Sequence, residues 1–169
     1  MTETDEAELR ELIPRLRRFA RALTHEPTAA DDLVQASLER AVSRWRSRHE
    51  KGSLQAWLFS ILYRRFLDER KRAGRFSRLL DVFRGPRDVA PSAEEVVIAR
   101  ASLESFGRLP PEQRALMLLV AVEGLSYGEA AEALGVPIGT VMSRLSRARK
   151  ALRELTDSDV SPPSLRVLK

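Results

Sequence analysis

Cysteine is absent from the 169-residue chain, which excludes disulfides, thiolate nucleophiles and Cys-ligated metal sites together. Histidine is nearly absent. His25 and His49 are too few for most His-based metal sites and read as ordinary surface residues. Aromatic residues make up only 6% of the chain, and no apolar run approaches the ~20 residues that cross a bilayer, so no direct membrane insertion is expected. The opening Met1-Thr2-Glu3-Thr4-Asp5-Glu6 is acidic, unlike the basic start of a signal peptide, which leads to the expectation of a cytoplasmic protein. There is no phosphate-cradling Gly-rich loop, no His-Glu-x-x-His and no nucleophile elbow. Enzyme readings are therefore weak, and no catalytic residue, cofactor or metal is expected.

Hydrophobic residues at 43% and charged residues at 31% make a globular composition, with room for one ordinary domain or two small ones. Lys+Arg number 29 against 24 Asp+Glu, giving a net charge of +5 and a pI of about 10.2. Nearly all of these cations are Arg, the side chain whose planar fork matches phosphates and guanine edges. Nucleic acid is thus the first partner to test.

Apolar residues recur at helical spacing, and no alternating strand pattern of useful length occurs, so the expected fold is all-α. Leu12, Leu16, Phe19 and Leu23 predict a first helix over about Ala7 to Leu23. Thr28 can cap a second, with Leu33, Leu38, Ala41 and Trp45 as its apolar positions. Ser53 caps a third, whose Leu54, Trp57, Leu58, Ile61, Leu62 and Phe66 form a buried face. It is expected to run out in Arg70-Lys71-Arg72 before Gly74. These helices make a small domain over residues 7–73. Gly74, Gly85, Pro86 and Pro91 break the pattern, so 74–91 read as a flexible linker with a helical turn near Ser77 to Phe83. Ser92-Ala93-Glu94-Glu95 is a capping box for a helix over about 92–107. Pro110-Pro111 opens another, which Gly124 closes. A second domain thus covers 92–155, and the tail 156–169, with Pro162-Pro163, is expected to fray.

The sharpest local pattern lies in the second domain. Ser126-Tyr127-Gly128-Glu129 is a capping box that opens a short helix with Ala130, Ala131 and Leu134 on one side. Gly135 suits a left-handed stop, Val136 can plug the corner, and Pro137 restarts the chain where a missing N–H costs nothing. A last helix buries Val141, Leu145, Ala148 and Leu152. The result is a helix-turn-helix whose second helix has one free side, bearing Thr140, Met142, Ser143, Arg144, Ser146, Arg147, Arg149 and Lys150. From Ser143 to Arg153 there are five basic residues and no acidic one, whereas ordinary solvated faces mix signs. Small residues first and arginines further along fit a helix laid in a major groove.

The stretch Leu125 to Leu152 resembles region 4 of bacterial sigma factors. It is most similar to the extracytoplasmic-function (ECF) group of the sigma-70 family, through Gly139-Thr140-Val141, Ser143-Arg144-Leu145, Arg147-Ala148-Arg149 and Leu152. The first domain carries the rest of the likeness. Ala30-Asp31-Asp32-Leu33-Val34-Gln35-Ala36-Ser37-Leu38-Glu39-Arg40-Ala41 resembles region 2.2, and Leu54 to Arg72 resembles regions 2.3 and 2.4. Two positions depart from the family pattern. Arg64 stands where members often carry Asn, and Ala36 where an acidic residue usually follows Gln.

The resemblance implies a dissociable subunit that directs core RNA polymerase to promoters and begins DNA melting, itself catalysing nothing. Asp32, Gln35 and Glu39 would then dock on the β′ clamp, and region 4 on the β flap. Spacing independently places those three on one helical face, although dipole-favoured acids in a first turn would account for Asp31 and Asp32 without Glu39. The resemblance also assigns −35 DNA to the free face of the last helix, with Met142, Ser143, Ser146 and Arg147 on bases and Thr140, Arg144, Arg149 and Lys150 on phosphates. It assigns the −10 element to the loop Arg46 to Gly52, hence Arg46, Arg48, His49 and Lys51. The cationic helix end follows with Arg64, Arg65, Arg70 and Arg72, a kind of surface that grips phosphates of separated strands. Such factors are commonly held inactive by an anti-sigma factor, often membrane-bound. Two other readings stand beside this one: a sigma mimic that sequesters an anti-sigma without touching DNA, and a stand-alone operator-binding regulator.

Overall fold

The computed structural model describes residues 3–48, 52–80 and 104–160, the side chains of 4, 47, 75–80 and 158–160 excepted, and every regular element among them is helical. Helix α1 spans Glu3–Thr24 and starts earlier than the apolar spacing predicts, because Glu3, Asp5 and Glu6 in its first turn favour the positive end of the helix dipole. It ends at His25, a left-handed residue (φ 60) whose N–H bonds to the Arg21 carbonyl at 2.9 Å. Helix α2, Pro27–Ser43, is capped by Glu26 rather than Thr28: the Glu26 carboxylate accepts from the N–H groups of Thr28 and Ala29. Pro27 then occupies the first helical position, where no donor is needed.

After a 3₁₀ turn at Trp45–Ser47, α3 covers Leu54–Leu80 and begins as expected on Ser53, whose Oγ accepts from the Ala56 N–H at 3.2 Å. It does not stop before Gly74. That glycine is not among the left-handed residues, so it continues the helix at a cost of about 1 kcal/mol rather than ending it. Phe19 and Phe59 meet edge-to-face at 5.0 Å in the centre of α1–α3, with Leu16, Leu33 and Leu62 fully buried around them.

A helical stretch over 104–108 leads into α4, Pro111–Met117, which widens into a π turn over Leu118–Val122 and closes at Gly124 (φ 71). Helix α5 spans Tyr127–Leu134 and α6 spans Ile138–Val160. Helix α6 therefore passes the expected end at Leu155, and residues 161–169 lie outside the described residues. So do 81–103, which hold most of the predicted linker and the capping box at Ser92.

The two halves share one hydrophobic core. Helix α5 lies on α3 and α4 lies on α1, so buried residues from Leu12 to Leu145 form a single cluster. Ala130, Ala131 and Ala133 are buried, and their small side chains bring α5 close to its neighbours. Among the described residues no helix is long and apolar enough to cross a membrane.

Candidate nucleic-acid interface

The helix-turn-helix is built as its sequence dictates. Ser126 Oγ accepts from the Glu129 N–H at 3.2 Å, and the Glu129 carboxylate accepts from the Ser126 N–H at 2.8 Å. Those bonds hold the Glu129 carboxyl below its ordinary pKa, the backbone N–H of Ser126 being the main cause. Gly135 takes the left-handed conformation (φ 66, ψ 38), and the Val136 N–H reaches back to the Ala131 carbonyl at 3.0 Å. Val141, Leu145 and Ala148 are buried along one side of α6, and Leu152 is half-buried.

The opposite side is free. Met142 is 56% exposed, and Ser143, Ser146, Arg147, Arg149 and Lys150 are exposed with it. Arg147 folds back along the helix, its Nε 3.3 Å from the Ser143 carbonyl, while Lys150 lies 3.8 Å from Glu154. A groove of about 310 Å³ runs between α5 and α6, lined by Tyr127, Met142, Leu145, Ser146, Arg149 and Arg153. Thr140 and Arg144 differ from the rest in being half-buried. Arg144 lies close enough to Tyr63 of α3 to influence it: burial raises the Tyr63 pKa, Glu112 adds to that, and Arg144 and Arg70 oppose it.

In the first half, Asp32, Gln35 and Glu39 stand exposed on α2, and the Gln35 amide donates to Glu39 at 3.2 Å. Asp31 instead faces Arg17 of α1 at 3.6 Å, so it belongs to a helix contact. Arg64, Arg65 and Arg72 of α3 are gathered in a groove of about 300 Å³ with Arg40 of α2 and Arg44 just past its end, alongside Asp68 and Glu69. Sequence reasoning missed Arg40 and Arg44. Their i, i+4 spacing at the end of α2 was the available signal. Arg70 is not part of that cluster: it lies over the Phe66 ring at 5.6 Å and pairs with Glu112 of the second half at 3.5 Å.

Arg46 is exposed in the 3₁₀ turn, and Arg48 lies over the Trp45 ring at 5.3 Å, with Trp57 edge-on to Trp45 at 5.9 Å. Trp57 is thus half-buried in an aromatic pair rather than fully in the core. His49 and Lys51 lie outside the described residues.

A second missed feature lies where the halves meet. The Glu123 side chain, 1% exposed, accepts from Arg15 Nε at 2.7 Å and from Arg18 through Nε at 3.0 Å and Nη2 at 2.6 Å. The Glu123 carbonyl accepts from Arg15 Nη2 at 2.6 Å and from the Gln55 amide at 2.9 Å. Nearby, the buried Arg114 donates to the carbonyls of Ala22, Leu23, Gly107 and Leu109.

Residues 9–63 match the family described as the sigma2 domain of PhyR, and residues 103–152 match sigma-70, region 4. The ECF RNA polymerase sigma factor EcfG of Rhodopseudomonas palustris is 36% identical over 85% of this chain and 80% of its own length. The chain belongs to the ECF sigma factors of the sigma-70 family. Among solved structures, this sigma factor is similar to RpoE in complex with the anti-sigma factor NepR from Bartonella quintana. The TM-score is 0.77 at 33% identity, over 94% of this chain and 99% of that one. The anti-anti-sigma factor PhyR complexed with NepR, also from Bartonella quintana, shares the fold: TM-score 0.59 at 21% identity, over 88% of this chain and 49% of that one. The all-helical region 2 and region 4 layout expected from the sequence is thus the layout of this ECF factor.

Proposed function

We propose that this ECF sigma factor binds core RNA polymerase, directs it to promoters with paired −35 and −10 elements, and starts strand separation, while the polymerase performs all chemistry. The carrying observation is the outward face of α6, where Met142, Ser143, Ser146, Arg147, Arg149 and Lys150 stand exposed without an intervening acid. Short side chains there admit a base edge, and the arginines reach guanines or phosphates. Asp32, Gln35 and Glu39 supply acceptors for a basic polymerase surface. Arg64, Arg65 and Arg72, joined by Arg40 and Arg44, form a cationic track for the separated −10 strand.

An anti-sigma factor is part of the proposal, because the related RpoE is solved with one bound. The apolar side chains left accessible on α2 and α3, namely exposed Val42 and half-buried Trp57 and Ile61, offer it a docking surface.

Run-off transcription with purified core polymerase on genomic DNA tests the reading. New discrete transcripts sharing one −35/−10 pair are expected. The match of residues 9–63 to the sigma2 domain of PhyR favours one second reading, a mimic that binds anti-sigma only. Such a mimic would bind an anti-sigma factor, start no transcript and leave −35 DNA unbound.

A further inference from the structure

We infer that Ile138 and Met142 read thymine, by seating their side chains against the C5-methyl groups that A·T pairs present in the major groove of the −35 element. The promoter-binding reading above, on which this inference rests, gives Ile138 no part. Both side chains stand at the start of α6, Ile138 as its first residue, and they are 53% and 56% exposed. At i and i+4 they form one small apolar patch, and apolar surface left in water favours an apolar partner. On the base edges of the major groove, the thymine methyl is that partner.

Area and charge both favour DNA over protein as the occupant. Two half-exposed aliphatic side chains offer far less than the ~800 Å² per partner that a stable protein interface buries. From Ile138 to Arg153 the sequence holds five cations and no acid, a field that draws a polyanion onto the patch.

Gly139 adds an independent observation. Glycine weakens a helix, and the fold gives no reason for one here: its φ is not left-handed, and a methyl group in its place would meet nothing within 4 Å. At 3.6 residues per turn it lies between Met142 and Ser143 around the helix, exposed on the outward face. A bare backbone at that place lets the first turn of α6 come close to a partner.

The dimensions fit as well. Residues i and i+4 are about 6 Å apart along a helix axis, and stacked base pairs about 3.4 Å. The two side chains therefore reach methyls on neighbouring pairs. Ile138, branched at Cβ, keeps one rotamer in a helix and gives the sharper discrimination, while unbranched Met142 adapts.

Deoxyuridine differs from thymidine by that methyl alone, which makes the test direct. The probe is a promoter recovered from the run-off transcripts, with each −35 thymine of either strand replaced in turn by deoxyuridine. Holoenzyme assembled with the parent chain should bind about fourfold more weakly at one or two neighbouring pairs and unchanged elsewhere, the effect of one buried methyl. Ile138→Ala should bind thymine and deoxyuridine equally at one of these pairs, and Met142→Ala at the other. Replacing the same thymine by 5-methylcytosine, with guanine opposite, should bind better than cytosine by a similar factor. Gly139→Ala should melt no lower than the parent yet lose affinity for the element.

Holoenzyme indifferent to deoxyuridine at every position would overturn methyl readout while leaving the promoter reading intact. Sensitivity retained by both alanine variants would assign the methyl to another side chain. Variants that bind every duplex as the parent does would give the patch to a protein contact and overturn the inference as well. Parent affinity in Gly139→Ala would overturn the close approach. No discrete transcript and no promoter binding by the parent would sink the promoter reading itself, and methyl readout with it.

Discussion

On the outer face of α6, Arg147, Arg149 and Arg153 stand exposed beside Lys150, and no acid occurs in the sequence between Ser143 and Arg153. At the seam between the halves, Arg15 and Arg18 converge on one carboxylate, and Arg114 is only 5% exposed among four carbonyls. The side chain is the same in both places, but its role is set by what it can reach. Exposed guanidinium groups keep their charge available to an incoming polyanion. Enclosed ones satisfy groups that the fold would otherwise leave without partners: Ala22 and Leu23 end α1, where helix carbonyls lack intrahelical donors. The first kind should matter to binding and little to stability, and the second the reverse.

The largest effect is expected from Arg114→Leu. It keeps apolar bulk but strips the Ala22, Leu23, Gly107 and Leu109 carbonyls of their donor inside the seam. Leaving buried acceptors unpaired costs about 1–3 kcal/mol each, so a loss of roughly 3 kcal/mol or more is expected. At about 2–4 °C per kcal/mol for a chain of this size, Tm should fall by roughly 6–12 °C. A thermal melt within a degree of the parent would erase the distinction between the two kinds of arginine. Arg147→Ala should do the opposite. Its melt should be unchanged, while affinity for the preferred −35 duplex falls by about 1–3 kcal/mol and discrimination at one base pair relaxes. A uniform loss over a panel of −35 variants would remove Arg147 from base readout.

The sequence reveals these two regions unequally, and the reason is distance along the chain. The helix-turn-helix is written in neighbours: the Ser126 box, Gly135, Pro137 and the Val141, Leu145, Ala148 spacing all lie within one short stretch. The Glu123 cluster at the seam joins Arg15 to a residue 108 positions away, and no local period marks it. One signal was available. Glu123 precedes the closing Gly124 at a helix C-terminus, where the dipole disfavours an acid, so a cationic partner elsewhere was called for. The arginine cluster on α3 was half legible for a similar reason. At 3.6 residues per turn, Arg65 and Arg72 share a face, while Arg70 sits about 200° from Arg72 and turns toward Glu112. The Glu26 cap was missed because Thr28 is the better capping type, and only the structure shows that Pro27 takes the first helical position.

A smaller effect is expected at the turn that aims α6. Ser126→Ala removes the hydroxyl that accepts from the Glu129 N–H, a cap worth about 1 kcal/mol. The pH dependence follows from the lowered Glu129 pKa. The stability it contributes is full above its ordinary value of 4.5 and is lost as pH falls through the lower folded value. Urea unfolding of Ser126→Ala should therefore show both a lower midpoint at neutral pH and a shallower decline below about pH 4.5. An unchanged midpoint would mean that packing against α3, not the cap, holds α5.

The smallest effect isolates charge from contact. Lys150 pairs with Glu154 at 3.8 Å, but both side chains are mostly in water, and an exposed i, i+4 pair contributes about 0.3–0.5 kcal/mol. A phosphate therefore competes easily for the ammonium. Lys150→Ala should leave the melt unchanged, weaken binding evenly across −35 sequences, and flatten the dependence of log K on log salt by about 1. An unaltered salt slope would mean that Lys150 stays with Glu154 in the complex. The DNA-facing edge of α6 would then stop before Lys150, and Arg149 and Arg147 would carry the phosphate contacts on that side of the groove.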